Sequence, residues 1–358
     1  MAAVITAIEA VTPAWLAAVL RRNGFLPSGD VQSVGVRRIH DAQVGSINYF
    51  LAVGYTADAP AAAPERLFLK LPRSAHPPDE QGAYWATREV AMYQALAPHQ
   101  HDLPVVPCYD VAYDPGLRRS HLLLADLSGS HDQPAWYLDI APHYIERTIE
   151  CLARVHAYWW EHPDLGSELG RLRTPEEVAG LIAWIEQRFP AFTQAAGDRL
   201  SAADRGIYAR VIAALPRLWA GHTSRAGKTL VHGDAHFWNF LYPRDPARGE
   251  TYIVDWQLYH LGEGVEDIAY TIVLRYPHRT PENERQLVER YHHALLCHGV
   301  PGYDWATCWH AYRRLAAEQV LYPLRCWDNG LDEAFWSSFL RPALAGFRDL
   351  QCDEVLAT

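Results

Sequence analysis

The chain changes its hydrophobic period partway along, and that change restricts its fold more than any other feature. Up to about residue 125 the apolar residues mostly alternate, as in "SVGVRRIH", "SINYFLAVGYT", "ERLFLKLPR", "VVPCYDVAYD" and "SHLLLADL". A period of two puts successive side chains on opposite faces of a strand. One helical stretch, "GAYWATREVAMYQALAPH", interrupts them and ends at Pro98. After "SGSHDQP" the period becomes helical in "YIERTIECLARVHAYWW", "TPEEVAGLIAWIEQRF", "DRGIYARVIAALPRLW", "ENERQLVERYHHALL" and "WATCWHAYRRLAAEQVLY". Only "TLVHGD", "FWNFLY" and "TYIVDW" read as strands among these helices. Strands early and helices late predict an α+β chain with two lobes, divided as 1–126 and 127–358. Before the first strand, Thr12-Pro13 forms a helix start (cap, then proline at the first helical position) and Gly24 a stop.

The 358 residues are 49% apolar and 12% aromatic, enough for a large core, so wholesale disorder is not expected. A net charge of −10 disfavours nucleic acid or an anionic membrane as the main partner, because both attract basic surfaces. The six cysteines include no C-x-x-C pair, which gives neither a zinc site nor a redox motif. The N-terminal stretch lacks the basic region of a signal peptide and carries Glu9 in its apolar run. With no apolar run of membrane-spanning length, a reducing cytoplasm is the expected location.

The segment "TLVHGDAHFWNFLY" places His232, Asp234, His236 and Asn239 between an apolar entry and an apolar exit. Unpaired polar groups are costly in such surroundings, so four of them together predict a site. The spacing is H-G-D-x-x-x-x-N, followed by a strand "YIVD" that delivers Asp255. Asn239 and Asp255 are hard oxygen ligands suited to Mg²⁺, which takes few protein ligands and completes its shell with phosphate oxygens. Asp234 lies close enough in sequence to accept the proton of an attacking hydroxyl. This is the layout of a kinase catalytic loop and its metal-binding aspartate.

"HGDAHFWN" and "IVDWQ" resemble the aminoglycoside phosphotransferase and choline kinase-like family. With "VTPAWL", "LARVHAYWW" and "EDIAY" the likeness is greatest to its ecdysteroid-kinase-like branch, from about Thr12 to about Tyr270. The resemblance implies a protein-kinase-like fold, with an antiparallel sheet in the N-terminal lobe and a mainly helical C-terminal lobe. It also implies an ATP- and Mg²⁺-dependent transfer to a small-molecule hydroxyl, and a strand lysine paired with a helical glutamate. In "RLFLKL", alternation puts Lys70 on the face opposite Leu67, Leu69 and Leu71. In the following helix Glu89 falls on the stripe of Trp85, Met92 and Leu96, where a carboxylate needs a partner, and Lys70 is the candidate. Gly45 and Ser46 in "DAQVGSINYF" stand where the family covers the phosphates. In "LLLADLSG", Ala125 and Leu127 stand at the backbone positions that hold adenine.

Other residues have structural readings. His232, and Asp267 in "EDIAY", resemble family residues that brace the catalytic loop, and His156 shares a helix face with Leu152 and Trp159 as a core histidine would. His236 stands where protein kinases acting on serine or threonine usually carry lysine. Eleven residues separate Asp255 from Asp267, too few for a phosphorylatable activation loop, and no A-P-E follows. Two rival readings are weighed. "GDAH" fits the G-D-x-H of metallophosphoesterases, but the chain has no G-N-H or H-x-H to complete such a site. A nucleotide-binding protein without turnover should lack one of Lys70, Asp234, Asn239 or Asp255, and all four are present. For the acceptor, Trp305, Trp309, Tyr312, Tyr322, Trp327 and Trp336 predict an aromatic pocket in the C-terminal helices. Interspersed Glu263, Glu266, Glu318 and Asp328 would make it suit a bulky alcohol or an amine.

Overall fold

The computed structural model describes residues 4–39, 46–72, 80–134, 140–166, 169–247 and 249–357. The chain forms two compact units that interleave in sequence. One comprises Met1–Gln133 with Phe240–Leu258, the other Pro134–Asn239 with Tyr259–Thr358.

The first unit opens with helix α1 (Pro13–Arg22), capped by the Thr12 hydroxyl, which accepts from the Trp15 N–H at 3.1 Å. Gly24, at φ 81°, turns the chain after the helix as its sequence position predicts. Five antiparallel strands follow: β1 (Val31–Ile39), β2 (Ser46–Tyr55), β3 (Arg66–Pro72), β4 (Cys108–Asp114) and β5 (Arg119–Ala125), in the order β1-β2-β3-β5-β4. Helix α2 (Glu80–Leu96) lies between β3 and β4 in sequence and packs on β4 and β5. The pleat separates the two faces of β3. Leu67, Leu69 and Leu71 join Leu16, Leu20, Leu51 and Leu123 in a core closed by α1, each buried leucine contributing roughly 1.5–3 kcal/mol. Lys70 points the other way, in register with Asn48 on β2 and Leu122 on β5. The unit is completed by the short strands β6 (His131–Asp132), β8 (Phe240–Pro243) and β9 (Tyr252–Ile253), with a 3₁₀ turn at Trp256–Leu258 against α2.

The second unit is helical: α3 (Pro142–Tyr158), α4 (Pro175–Ala196), α5 (Ala202–Leu218), α6 (Val265–Ala269), α7 (Pro281–Cys297), α8 (Trp305–Glu318), α9 (Tyr322–Asp328), α10 (Glu333–Ser338), α11 (Leu340–Asp349) and α12 (Asp353–Ala357). Capping boxes at Thr174, Ser201 and Thr280 start α4, α5 and α7. The only strands described in it, β7 (Thr229–Val231) and β10 (His260–Gly262), pair antiparallel. Helix α3 buries Ile145, Ile149, Leu152, Val155 and His156 along one stripe and packs on α7 and β7. Two expectations change here. Helix α4 continues through Pro190 to Ala196 instead of ending at Phe189. "FWNFLY" is a 3₁₀ turn (Phe237–Asn239) before a four-residue strand, and the strand in "TYIVDW" is only Tyr252–Ile253.

Candidate active site

In the first unit Lys70 meets Glu89, its Nζ lying 2.8 and 3.0 Å from the two carboxylate oxygens, and it lies 3.3 Å from Asp255 Oδ1. The helical register of α2 carries Glu89 into the interior, where Met92 and Leu96 of the same stripe are fully buried. Burial would pull the Lys70 ammonium down, but the Asp255 and Glu89 carboxylates outweigh it and push its pKa up, so the lysine stays charged. Asp255 itself has φ 65°, a left-handed conformation costly for most side chains and more accessible to short polar ones. Its Oδ2 accepts no hydrogen bond among the described residues.

The other nucleotide-site candidates also lie in this unit. Ser46 opens β2 and is buried, while Gly45 lies outside the described residues. The Ala125 N–H is committed to Pro107 O at 2.9 Å, so only the Ala125 carbonyl remains for a base. The Leu127 N–H finds no acceptor among the described residues, and its carbonyl takes the N–H groups of Ser130 and His131.

In the second unit β7 runs into the loop that carries Asp234. Buried Asp267 braces this loop, its Oδ2 accepting the His232 N–H at 2.7 Å and its Oδ1 the Gly233 N–H at 2.9 Å. His156 Nε2 lies 3.2 Å from the same carboxylate and its Nδ1 lies 2.9 Å from the Tyr291 hydroxyl, so His156 is a core residue with both nitrogens engaged. The Thr271 hydroxyl donates to Ala235 O, and Gly233 at φ 82° lets the chain turn. Asn239 closes the loop on itself, donating from Nδ2 to Asp234 O at 2.9 Å, and its Oδ1 meets no donor among the described residues. His236 Nε2 stands 3.4 Å from Asp234 Oδ2, while its buried Nδ1 has no hydrogen-bond partner among the described residues.

Three residues that the sequence reading did not assign to catalysis touch this loop or its neighbours. The Tyr270 hydroxyl donates to Asp234 Oδ1 at 2.7 Å. Arg275 Nε and Nη2 both donate to that hydroxyl, and Nη2 reaches the Tyr322 hydroxyl at 2.8 Å. Arg275 is buried among the rings of Tyr270, Tyr322, Phe335 and Phe339, and among the described residues no carboxylate pairs with it directly. Burial opposes the Asp234 charge. The bond and charge of His236, the Tyr270 bond and the Arg275 charge outweigh it and hold the carboxyl far below the usual range. Residues 270 and 275 come together because Tyr270–Arg275 is a π-helix, whose wider turn closes its hydrogen bond between i and i+5 and brings them to one side, whereas on an α-helix they would lie roughly 140° apart. The one signal in the sequence is a lone arginine ending the apolar run "TIVLR". Replacing Tyr270 by Phe should move the acid limb of the pH–rate profile up by about 1–2 units, the worth of one hydrogen bond to a charged group. An acid limb that stays in place would deny Tyr270 this role.

Residues 45–308 match the family described as the phosphotransferase enzyme family. The chain belongs to that family. Among curated proteins, no sequence matches this phosphotransferase significantly. Solved structures show that it shares the protein-kinase-like fold. A putative aminoglycoside phosphotransferase from Ralstonia eutropha superposes with a TM-score of 0.54 at 14% identity, covering 94% of this chain and 97% of the other. Choline kinase from Cryptosporidium parvum gives 0.53 at 12% identity, covering 90% of each chain. A GDP complex of an aminoglycoside 2'-phosphotransferase-IIIa mutant gives 0.53 at 14% identity, with 94% and 97% covered. No described helix of the phosphotransferase is long and apolar enough to cross a membrane.

The aromatic side chains of the C-terminal helices are mostly committed to packing. Trp305, Trp309 and Tyr312 stack in a ladder, with the Arg285 guanidinium 5.6 Å from each tryptophan ring. Trp327 and Trp336 pack against Phe192, and Asp328 is taken by Arg188 and Trp184. Within the second unit of the phosphotransferase is a cavity of about 100 Å³, which Tyr322 alone of the six aromatics lines. Its lining is predominantly polar and includes Glu266 and Glu318 of the expected acids beside Tyr322. Burial would raise Glu266, but His260, His222 and Arg325 outweigh it and hold its carboxyl at about 2. Burial pulls His222 down to about 4, with Glu266 opposing and Lys228 adding to the shift. The unfolded chain therefore takes up this proton first, and stability should fall as pH drops from 6.5 to about 4, by at most about 3 kcal/mol. Denaturant melts at the two ends of that window should show a smaller difference in His222→Gln. An equal difference would contradict the assignment.

Proposed function

We propose that this phosphotransferase moves the γ-phosphoryl group of ATP, with Mg²⁺, to a hydroxyl of a small molecule. The observation that carries the reading is the Asp234 carboxylate, held ionised and fixed by Tyr270, His236 and Asn239 on a loop braced by Asp267. The acceptor hydroxyl donates to Asp234, which orients its oxygen toward the γ-phosphorus. As the new O–P bond forms, the bond from phosphorus to the bridging oxygen breaks and its electron pair stays with the nucleoside diphosphate. The hydroxyl proton passes to Asp234. Because its pKa is so depressed, Asp234 serves first by orientation and takes the proton late, which suits a loose transition state.

Lys70, held by Glu89, neutralises phosphate charge. The donor set fits a magnesium ion, since Asp255 Oδ2 and Asn239 Oδ1 are hard oxygens that accept from no donor among the described residues. When bound, such an ion neutralises the charge on the phosphates. Two structural relatives are complexes with GDP. Ser46, the Ala125 carbonyl and the Leu127 N–H are assigned to the nucleotide, with Gly45 beside Ser46. All six cysteines are free thiols, which supports a reducing cytoplasm.

The test is calorimetric binding of ATP and of GTP with and without Mg²⁺, followed by ADP release across a panel of small alcohols. Nucleotide binding that needs Lys70 and turnover that needs an alcohol are expected. Tight nucleotide binding with no alcohol-dependent turnover would favour a binding protein instead.

A further inference from the structure

The cavity of the second unit is lined by four basic side chains, Arg171, Arg173, Lys228 and Arg325, and by two carboxylates, Glu266 and Glu318. Lys228 is paired with Glu263 at 2.8 Å, and Arg171 with Glu177. Of the cavity's carboxylates, Glu266 lies 3.0 Å from His260 Nε2, and Glu318 accepts from Trp219 Nε1 at 2.8 Å and from Arg314 Nη1 at 3.2 Å. Arg173 and Arg325 also line the cavity, and neither has a hydrogen bond or a carboxylate within salt-bridge reach among the described residues. Both side chains reach solvent, yet burial around Arg173 disfavours its charge more than nearby Glu266 restores it. Two guanidiniums without a direct salt bridge among the described residues thus share one concavity, on a chain whose net charge is −10.

One wall residue connects the cavity to the base. Tyr322 forms part of its wall, and the Tyr322 hydroxyl lies 3.4 Å from that of Tyr270, which donates to Asp234. We infer that this cavity receives the anionic end of the phosphoryl acceptor, which is an alcohol bearing a carboxylate or a phosphate. Arg173 and Arg325 hold that end, with the acceptor's hydroxyl end toward Tyr322 and Asp234. The inference rests on the proposed phosphoryl transfer for the acceptor's identity, while the anion site itself stands on the cavity. Guanidinium groups suit both anions, because their forked donors match carboxylate and phosphate oxygens. A polycationic or quaternary-amine alcohol would meet the same two arginines as like charges.

Four pyranoses that differ in charge test this: glucuronate, glucose 6-phosphate, glucose and glucosamine. Each is titrated calorimetrically into the full chain with bound nucleotide, and ADP release is followed in parallel. At least one anion should bind at least about tenfold more tightly than glucose and glucosamine, and be phosphorylated in preference to them. Whichever anion binds more tightly identifies the carboxylate or the phosphate as the natural end. Arg173→Gln and Arg325→Gln should each weaken anion binding by about tenfold to a hundredfold, the worth of a charged hydrogen bond, with nucleotide affinity unchanged. Three results would overturn the inference: glucose or glucosamine binding as well as the anions, anion affinity indifferent to both substitutions, or anions bound through the arginines but not phosphorylated while another alcohol is. Failure of the underlying reading looks different, since the wild-type chain would then release no ADP in response to any alcohol, whether or not it binds nucleotide.

Discussion

Asp234→Asn is expected to lower turnover by roughly 10²–10⁴, the usual size of assistance from a positioned acid or base, with nucleotide affinity nearly unchanged. The amide keeps the volume and can still accept from Tyr270, so the loop should hold its shape. It loses the charge that draws the hydroxyl proton and leaves Arg275 and His236 without their anion. The loss should therefore appear in kcat and not in the apparent KM for nucleotide. Circular dichroism and the melting temperature establish that the fold survives, and steady-state kinetics on any accepted alcohol decides. Near-normal turnover in a folded variant would remove Asp234 from the mechanism.

Asp255→Asn should abolish the Mg²⁺-dependent tightening of ATP binding and lower turnover by about 10²–10³, comparable to losing one preorganised electrostatic contact. Asparagine is the informative replacement because the site has φ 65°, which Asn tolerates and alanine does not. Asp255 also faces Lys70, so its neutralisation leaves the ammonium with Glu89 as its one carboxylate partner. Weaker binding of ATP without Mg²⁺ would be a structural effect, and the metal dependence separates the two. Calorimetry at several Mg²⁺ concentrations makes the distinction, and a metal dependence equal to that of wild type would refute the ligand assignment.

Much of the site was legible because it is local. H-G-D-x-x-x-x-N spans eight residues of one loop, and its loop-bracing hydrogen bonds use spacings that a reader can count. Lys70 and Glu89 were legible for a different reason, since a period of two placed the lysine off the leucine face and a helical stripe buried the glutamate. The α+β order of strands and helices followed from the same periodicities. Alternation could not show, however, that 240–258 would leave the helical half and pack with the first 133 residues, because strand pairing is a long-range choice.

The amino-acid sequence determined by itself the order of strands and helices, the loop that carries Asp234, and the pairing of a buried glutamate with a strand lysine. Each is encoded by residue type at fixed spacing. Only the tertiary structure decided that Tyr270 and Arg275 stand behind Asp234, because a π-helical turn aligned residues that α-helical periodicity separates. It also decided that the C-terminal tryptophans pack and that the cavity beside them is charged. An aromatic ring in a sequence looks the same whether it lines a pocket or fills a core. Which of these it does is settled by the neighbours that folding brings to it, here Phe192, Arg285 and Arg188.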